Sequence, residues 1–227
     1  MSPRQSQISV PLIRAWLNDC ESNHHNTCSR SVLEERQGLP VNLLLIDVEF
    51  QAIVEAKSSM RYVALSYVWG QIDCFQTTKS TLESLQSRHG LLRQSSRLPA
   101  VIKDALAFVA AMGERYLWVD TLCIVQDDAD LKHRDIHQMD VIYSHAILTI
   151  VVLSGKDANT NIPGIRPGSR TEWKSKAFGN HQCIPSPLSL QRALEVAPLE
   201  QRAWTMQERM LSPRCVYFTN QQVYFQC

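Results

Sequence analysis

The sequence predicts an α/β fold: a mostly parallel sheet is flanked by helices, and a β-hairpin follows at the C-terminal side. Three observations predict this class. Short apolar runs alternate with helical patterns along the chain. Two such runs, residues 62–69 and 116–119, enclose a strong helical pattern at 99–112, which is typical of a βαβ unit. Residues 215–218 and 223–225 are apolar segments separated by four polar residues, which favours a hairpin.

The first elements precede the βαβ unit. Residues 8–19 carry apolar side chains at helical spacing, which predicts a short amphipathic helix. A polar stretch rich in Cys and His follows. We therefore predict an N-terminal helical leader over residues 1–38 and one larger domain over residues 39–227. Inside that domain the apolar run 43–48 predicts the first strand.

The later elements complete the predicted order. Gly113 lies where the central helix needs a C-cap. Residues 132–143 read as a second helix of the domain, and residues 146–153 as a buried strand. Residues 154–187 are rich in Pro and Gly, which predicts a long loop. Residues 198–210 form a third helical pattern.

Composition excludes several classes of function. The chain has 227 residues, of which 44% are hydrophobic and 20% charged, with a formal net charge of +1. This balance is typical of a globular protein and gives no basic excess for nucleic acid, so we expect no nucleic-acid partner. The Gly-rich phosphate-binding motifs are absent from the sequence.

The distribution of apolar residues and cysteines indicates the compartment. No apolar run approaches the about 20 residues of a membrane span, so we expect none. The first residues are polar and give no secretory signal pattern. Seven scattered cysteines are an odd number and do not resemble a disulfide framework. We therefore predict a cytoplasmic protein with reduced thiols.

Polar and aromatic residues follow two predicted strands. Ligands of open parallel sheets bind at the carboxyl ends of the strands, where Asp120 ends one strand and Ser66, Trp69 and Gly70 end another. Asp120 could orient a ribose hydroxyl or a base, or simply cap the following turn. Trp69 could stack on a flat ligand and Gly70 could admit close backbone approach. The alternative is a core aromatic followed by a turn glycine.

A further carboxylate lies in the third helical pattern. Trp204 and Glu208 are four residues apart and share a helix face, so Glu208 could project into a pocket beside Trp204. A carboxylate in such a setting can act as a base or as an electrostatic stabiliser. The alternative is a surface ion pair of Glu208 with Arg202 or Arg209.

The Cys/His segment of the leader raises the question of a metal. Cys20, His24 and Cys28 are spaced by four and could supply three zinc ligands from one helix face. A fourth ligand would have to come from far along the chain. The spacing is not that of a zinc ribbon or finger, so we predict no metal site and keep these three residues as the candidates.

Three longer segments resemble a known family when taken together. They are YVALSYVWG at residues 62–70, YLWVDTLCIVQD at 116–127, and RAWTMQERMLS at 202–212, followed by Arg214. Their order and spacing resemble the fungal heterokaryon incompatibility (HET) domain over about residues 40–227. The Cys/His leader also resembles the segment that often precedes this domain.

The resemblance implies a role in fungal non-self recognition, in which family members trigger growth arrest or programmed cell death. The first hypothesis is therefore a signalling module that self-associates or binds a protein partner. The family has been compared with Toll/interleukin-receptor (TIR) domains, which share a flavodoxin-like core. Many family members continue well beyond the last motif, so the chain is expected to be a short allele, a fragment or a stand-alone effector.

The comparison with TIR domains implies a second hypothesis, an NAD-cleaving enzyme. Some TIR domains cleave NAD through a glutamate, and Glu208 is the matching catalytic residue. The resemblance then implies a ligand-binding set of Ser66, Trp69, Gly70, Asp120, Gln126, Arg202 and Trp204. The sequence indicates no cofactor with certainty, and NAD only as a substrate under this hypothesis.

Overall fold

The strands form one large sheet and one small ribbon. The structure is a computed structural model, and it describes residues 7–28, 40–170, 176–178, 181–183, 186, 188–201 and 203–227. The strands are β1 (Asn42–Asp47), β2 (Ala52–Lys57), β3 (Val63–Ser66), β4 (Tyr116–Trp118), β5 (Leu148–Val152), β6 (Lys176–Phe178), β7 (His181–Cys183), β8 (Cys215–Phe218) and β9 (Val223–Gln226). The large sheet has the order β2-β1-β4-β3-β5-β8-β9, and β6 pairs with β7 in an antiparallel ribbon.

The large sheet is mixed, which corrects the expectation of a mostly parallel sheet. Its four central strands, β4, β3, β5 and β8, are parallel. The outer pairings are antiparallel: β1 pairs with both β2 and β4, and β8 pairs with β9. The α/β class and the hairpin at β8–β9 are confirmed. Two adjacent strands joined by a short connection pair antiparallel, and such a hairpin forms each edge of this sheet.

Helices join the strands and cover the sheet. They are α1 (Val10–Asn23), α2 (His25–Cys28), α3 (Lys79–Gln86), α4 (Gly90–Arg93), α5 (Ala100–Ala111), α6 (Asp120–Cys123), α7 (Ala129–His137), α8 (Met139–His145), α9 (Leu190–Glu195) and α10 (Ala203–Leu211), with a 3₁₀ turn at Pro198–Gln201. The predicted single helix over 132–143 is wrong, because Gln138 leaves helical geometry between α7 and α8.

The central helix α5 follows the sequence prediction closely. Pro99 precedes its first turn, and Gly113 follows Met112 with a φ of +71°. The Gly113 amide donates to the Ala110 carbonyl at 3.0 Å, which satisfies one of the last free carbonyls of the helix.

The segment predicted as one long loop, residues 154–187, contains a two-stranded ribbon in its described part. In its described part, the buried Asp104 of α5 pairs with Arg166 and accepts from the Ile162 amide at 2.8 Å. The ribbon β6–β7 lies farther along the same segment. The loop prediction agrees with residues 154–170, which form turns and bends without a helix or strand, and it is wrong for the β6–β7 ribbon.

Helix α1 packs on the sheet. Ile13 and Leu17 are each 1% exposed and belong to the same hydrophobic cluster as Leu45 and Trp118 of the strands. Its apolar stripe thus contributes to the main core. In the part of the chain that the structure describes, no helix is long and apolar enough to cross a bilayer.

Candidate functional site

The candidate site lies at the carboxyl ends of β3 and β4. After β3 the chain crosses to β4 on one side, and after β4 it returns to β5 on the other side of β3. Such a reversal of strand order opens a crevice beyond the strand ends, where ligands of α/β sheets bind. Helix α10 packs against β3 and α8 and brings the third sequence motif to this crevice.

Glu208 of α10 meets Ser66 at the end of β3. The Ser66 hydroxyl donates to Glu208 Oε2 at 2.5 Å, and Ser66 is 1% exposed. Glu208 is only 7% exposed, so its side chain does not lie on the open surface. A buried carboxylate needs hydrogen-bond donors to remain in place, and Ser66 supplies one.

Asp120 engages two groups with its two carboxylate oxygens. The Trp69 indole Nε1 donates to Oδ2 at 2.7 Å, and the Thr121 amide donates to Oδ1 at 2.7 Å. Asp120 thus caps the following turn, which was the alternative role expected from the sequence, and it also fixes the Trp69 ring. The Gln126 side-chain amide donates to the Asp120 carbonyl at 3.0 Å and secures the same loop.

Two buried tyrosines lie behind these carboxylates. The Tyr67 hydroxyl pairs with Thr121 Oγ1 at 3.0 Å, and the Tyr143 hydroxyl donates to the Leu65 carbonyl at 3.2 Å. Burial raises the pKa of both phenols well above the usual value, and the nearby negative charge adds to the shift, chiefly from Asp120 for Tyr67 and from Glu208 for Tyr143. Both phenols therefore remain neutral at physiological pH.

A cavity of about 210 Å³ lies beside Asp120 and Glu208. Its lining combines two carboxylates, a lysine, an indole and aliphatic side chains: Trp69, Asp120, Ile124, Gln126, Lys132, Ile136, Met139 and Glu208. The structure thus brings together four residues of the predicted set, Trp69, Asp120, Gln126 and Glu208, with Ser66 directly behind Glu208.

Sequence reasoning missed the wall contributed by α7 and α8. Lys132 and Ile136 lie one helical turn apart on α7, and Met139 begins α8. The spacing of four between Lys132 and Ile136 was the available signal, since such residues share a helix face. Lys132 is the cation that this wall contributes to the cavity lining.

Gly70 has a structural reason for being glycine. Its φ is +73°, and a Cβ at this position would lie 2.4 Å from the Asp157 Cβ. The sequence suggested that a ligand could approach the Gly70 backbone closely. In the structure, Asp157 of the same chain occupies the space beside the Gly70 Cα. The Ala158 amide donates to the Trp69 carbonyl at 3.2 Å and holds the two segments together.

The two remaining predicted ligand-binding residues are not placed. Arg202 lies outside the described residues. Trp204 belongs to the α10 backbone, but its side chain lies outside the described part of the structure.

The three metal candidates of the leader lie away from the cavity lining and meet a fourth residue. Cys20 is in α1, His24 directly follows α1, and Cys28 ends α2. Their potential ligand atoms and the Cys227 Sγ all lie within 4.8 Å of one another. Cys227 is therefore the candidate for the fourth ligand, which had to come from far along the chain.

Comparison with known proteins completes the description. No curated protein and no solved structure matches the chain. The family model described as heterokaryon incompatibility protein (HET) matches residues 62–208. This span runs from Tyr62, directly before β3, to Glu208 and covers about two thirds of the chain. The chain therefore belongs to the heterokaryon incompatibility (HET) family.

Proposed function

We propose that the chain acts in fungal non-self recognition, as a module that self-associates or binds a protein partner and passes on a growth-arrest or cell-death signal. The family match over residues 62–208 carries this proposal. A cytoplasmic location is part of the proposal, because incompatibility follows the mixing of two cytoplasms.

Inducible expression in a filamentous fungus tests this role. We expect induction to stop hyphal growth and to admit a membrane-impermeant dye, and light scattering of the purified protein to show self-association or binding of a partner. Normal growth at a level where the protein accumulates in folded form would contradict the proposal.

A second candidate function, cleavage of NAD, is favoured by one observation: Glu208 is buried and lines the same cavity as Trp69 and Asp120. The order of the parallel strands also supports a flavodoxin-like core of the kind found in TIR domains. If the parallel strands β3, β4, β5 and β8 are numbered 1 to 4 along the chain, their order across the sheet is 2-1-3-4. The flavodoxin-like strand order 2-1-3-4-5 begins in the same way.

In this reaction water cleaves the bond between nicotinamide and its ribose. The ring nitrogen leaves with the bonding electron pair, positive charge develops on the ribose, and the attacking water loses a proton. A carboxylate close to the ribose stabilises that charge, which is the role we assign to Glu208. Trp69 is held by Asp120 at the cavity wall and could stack on the leaving base.

The size of the cavity sets how NAD would bind. Its volume of about 210 Å³ is below the usual range for whole drug-sized ligands, about 300–1,000 Å³. We infer that only the nicotinamide–ribose end enters. The phosphates would then lie at the cavity mouth, and Lys132 of the lining is the cation that could bind them.

Nicotinamide release by purified protein tests the second function. We expect release by the wild type and a fall of about 100-fold or more for Glu208→Gln, because the substitution removes the charge and keeps the shape. Glu83→Gln is the matched control, since Glu83 is exposed on α3 and outside the cavity lining. Equal rates for the two variants would contradict the role of Glu208. Growth arrest by a Glu208→Gln protein would leave the signalling role standing without the enzyme.

A further inference from the structure

The strongest feature outside the cavity is the cluster of three cysteines and one histidine. Cys20 is in the last part of α1, and His24 takes a non-helical conformation just after it. Cys28 ends α2, and Cys227 directly follows β9. Cys20 and Cys28 are buried, whereas His24 and Cys227 are exposed, so the cluster has one side in the core and one side at the surface.

The position of Cys227 is fixed by sheet register. In the β8–β9 hairpin Gln226 pairs with Cys215, and the Tyr217 hydroxyl donates to the Gln226 side chain at 2.7 Å. The Phe225 ring packs against the Trp16 ring of α1 with centroids 6.1 Å apart. These contacts bring Cys227 beside the end of α1.

The spacing of the four donors suits one tetrahedral metal ion. Every pair of ligand atoms lies within 4.8 Å, and His24 Nδ1 is 3.3 Å from the Cys227 Sγ. A Zn–S bond is about 2.3 Å, so two thiolates on one tetrahedral zinc lie roughly 3.8 Å apart. A small inward movement of the side chains is enough to complete the coordination.

Arg214 provides an independent observation that points to negative charge at the cluster. It is 6% exposed, and its Nε donates to the Cys20 Sγ at 3.0 Å. Its other nitrogens donate to the carbonyls of Cys28 at 2.8 Å and Ile147 at 3.3 Å. Among the residues that the structure describes, no carboxylate forms an ion pair with Arg214 within 4.0 Å.

A buried guanidinium needs negative charge close to it. A zinc ion bound by three thiolates and one neutral imidazole carries a single net negative charge. That charge, adjacent to the Arg214 guanidinium, would make the whole group neutral. The hydrogen bond from Arg214 to a ligand sulfur is also the kind of outer contact that orients metal ligands.

We propose that Cys20, His24, Cys28 and Cys227 bind one zinc ion, which joins the N-terminal helices to the β8–β9 hairpin. Thiolate and imidazole ligands select zinc over the hard cations magnesium and calcium. Four protein ligands leave no open coordination position, so the site is structural rather than catalytic. This inference is independent of the proposed role of Glu208.

Metal analysis of the protein, purified under reducing conditions without chelator, tests the proposal. We expect close to one zinc per chain in the wild type. We also expect the tetrahedral thiolate spectrum after replacement of zinc by Co²⁺. Cys227→Ser and His24→Asn should lose the zinc and the Co²⁺ spectrum. Both residues are exposed, so the variants should fold, which circular dichroism checks.

Matched controls separate ligand loss from general damage. Cys74→Ser and His133→Asn alter the same residue types outside the cluster and should keep the zinc. A zinc chelator should lower the melting temperature of the wild type and leave that of Cys227→Ser unchanged. Wild-type protein that retains no zinc and gives no Co²⁺ spectrum would overturn the proposal. Disulfide formation between two of the cluster cysteines under these conditions would overturn it as well.

Discussion

Glu208 and Asp120 are held at the strand ends in two different ways. Asp120 is fixed by a backbone amide and the Trp69 indole, whereas Glu208 receives a side-chain hydroxyl from the neighbouring strand. The first set of contacts is local to one turn and its facing loop. The second depends on the packing of α10 over β3, two segments far apart in the chain. The two carboxylates are therefore positioned by independent contacts around one cavity.

At the same scale, Gly70 gives a stability prediction. Gly70→Ala should lower the free energy of unfolding by about 1–3 kcal/mol, because alanine is strained at a φ of +73° and its Cβ would meet Asp157. Urea denaturation measures the change. Gly155→Ala is the control, since its added Cβ would meet no atom closer than 3.6 Å. Its effect should stay below about 1 kcal/mol. Equal losses for the two variants would contradict the strain argument.

Among the elements, α1 has a clear division between a buried and an exposed face. The Ser9 side chain accepts from the Leu12 amide and caps the first turn, and Pro11 lies in that turn, where its missing amide donor is not needed. Leu12 is 48% exposed, whereas Leu17 on the opposite face is 1% exposed. The helix is therefore stabilised by packing on the sheet more than by its own propensity.

This division gives the second stability prediction. Leu17→Ala should cost about 2–5 kcal/mol, because it removes buried methyl groups and leaves a cavity against the sheet. Leu12→Ala on the same helix should change stability by no more than about 0.5 kcal/mol. Thermal or urea denaturation of both variants measures the difference. A Leu17→Ala protein as stable as the Leu12→Ala protein would contradict the inclusion of α1 in the main core.

The helical region between β4 and β5 shows where element prediction failed. The sequence pattern reads as one helix over 132–143, but the described chain ends α7 at His137 and restarts α8 at Met139. The Gln138 amide still donates to the Arg134 and Asp135 carbonyls, so the break costs few hydrogen bonds. The bend allows Lys132, Ile136 and Met139 to line the cavity together. Periodicity alone does not reveal such a bend.

For the whole molecule, the mixed sheet predicts a gradient of local stability. β3 lies between two parallel neighbours and its residues are at most 1% exposed, whereas β9 is an edge strand with partly exposed residues. Hydrogen exchange followed by mass spectrometry should show the slowest exchange in Val63–Ser66 and faster exchange in Val223–Gln226. Zinc, if bound next to β9, should slow exchange in the hairpin. Faster exchange in β3 than in β9 would contradict the description of the core.

Much of the architecture and half of the cavity lining could be predicted from the sequence. Strand, helix and turn signals are local, so periodicity predicts β3, α5 and β4, and the position of Gly113 predicts the end of α5. Ser66, Trp69 and Asp120 follow from the rule that strand ends carry function, and Gln126 follows from the family resemblance. The mixed pairing at the sheet edges was not predictable in this way, because it depends on which strands meet in space.

By itself, the sequence determined the α/β class, the βαβ centre, the family resemblance and the identity of Glu208 as the carboxylate of the third motif. Only the tertiary structure decided that Glu208 is buried against Ser66, that α7 and α8 form a cavity wall, and that Cys227 lies beside Cys20, His24 and Cys28. The physical reason is sequence separation. Contacts such as Ser66–Glu208 and Arg214–Cys20 join residues 142 and 194 positions apart, and only the packing of the whole chain brings them together.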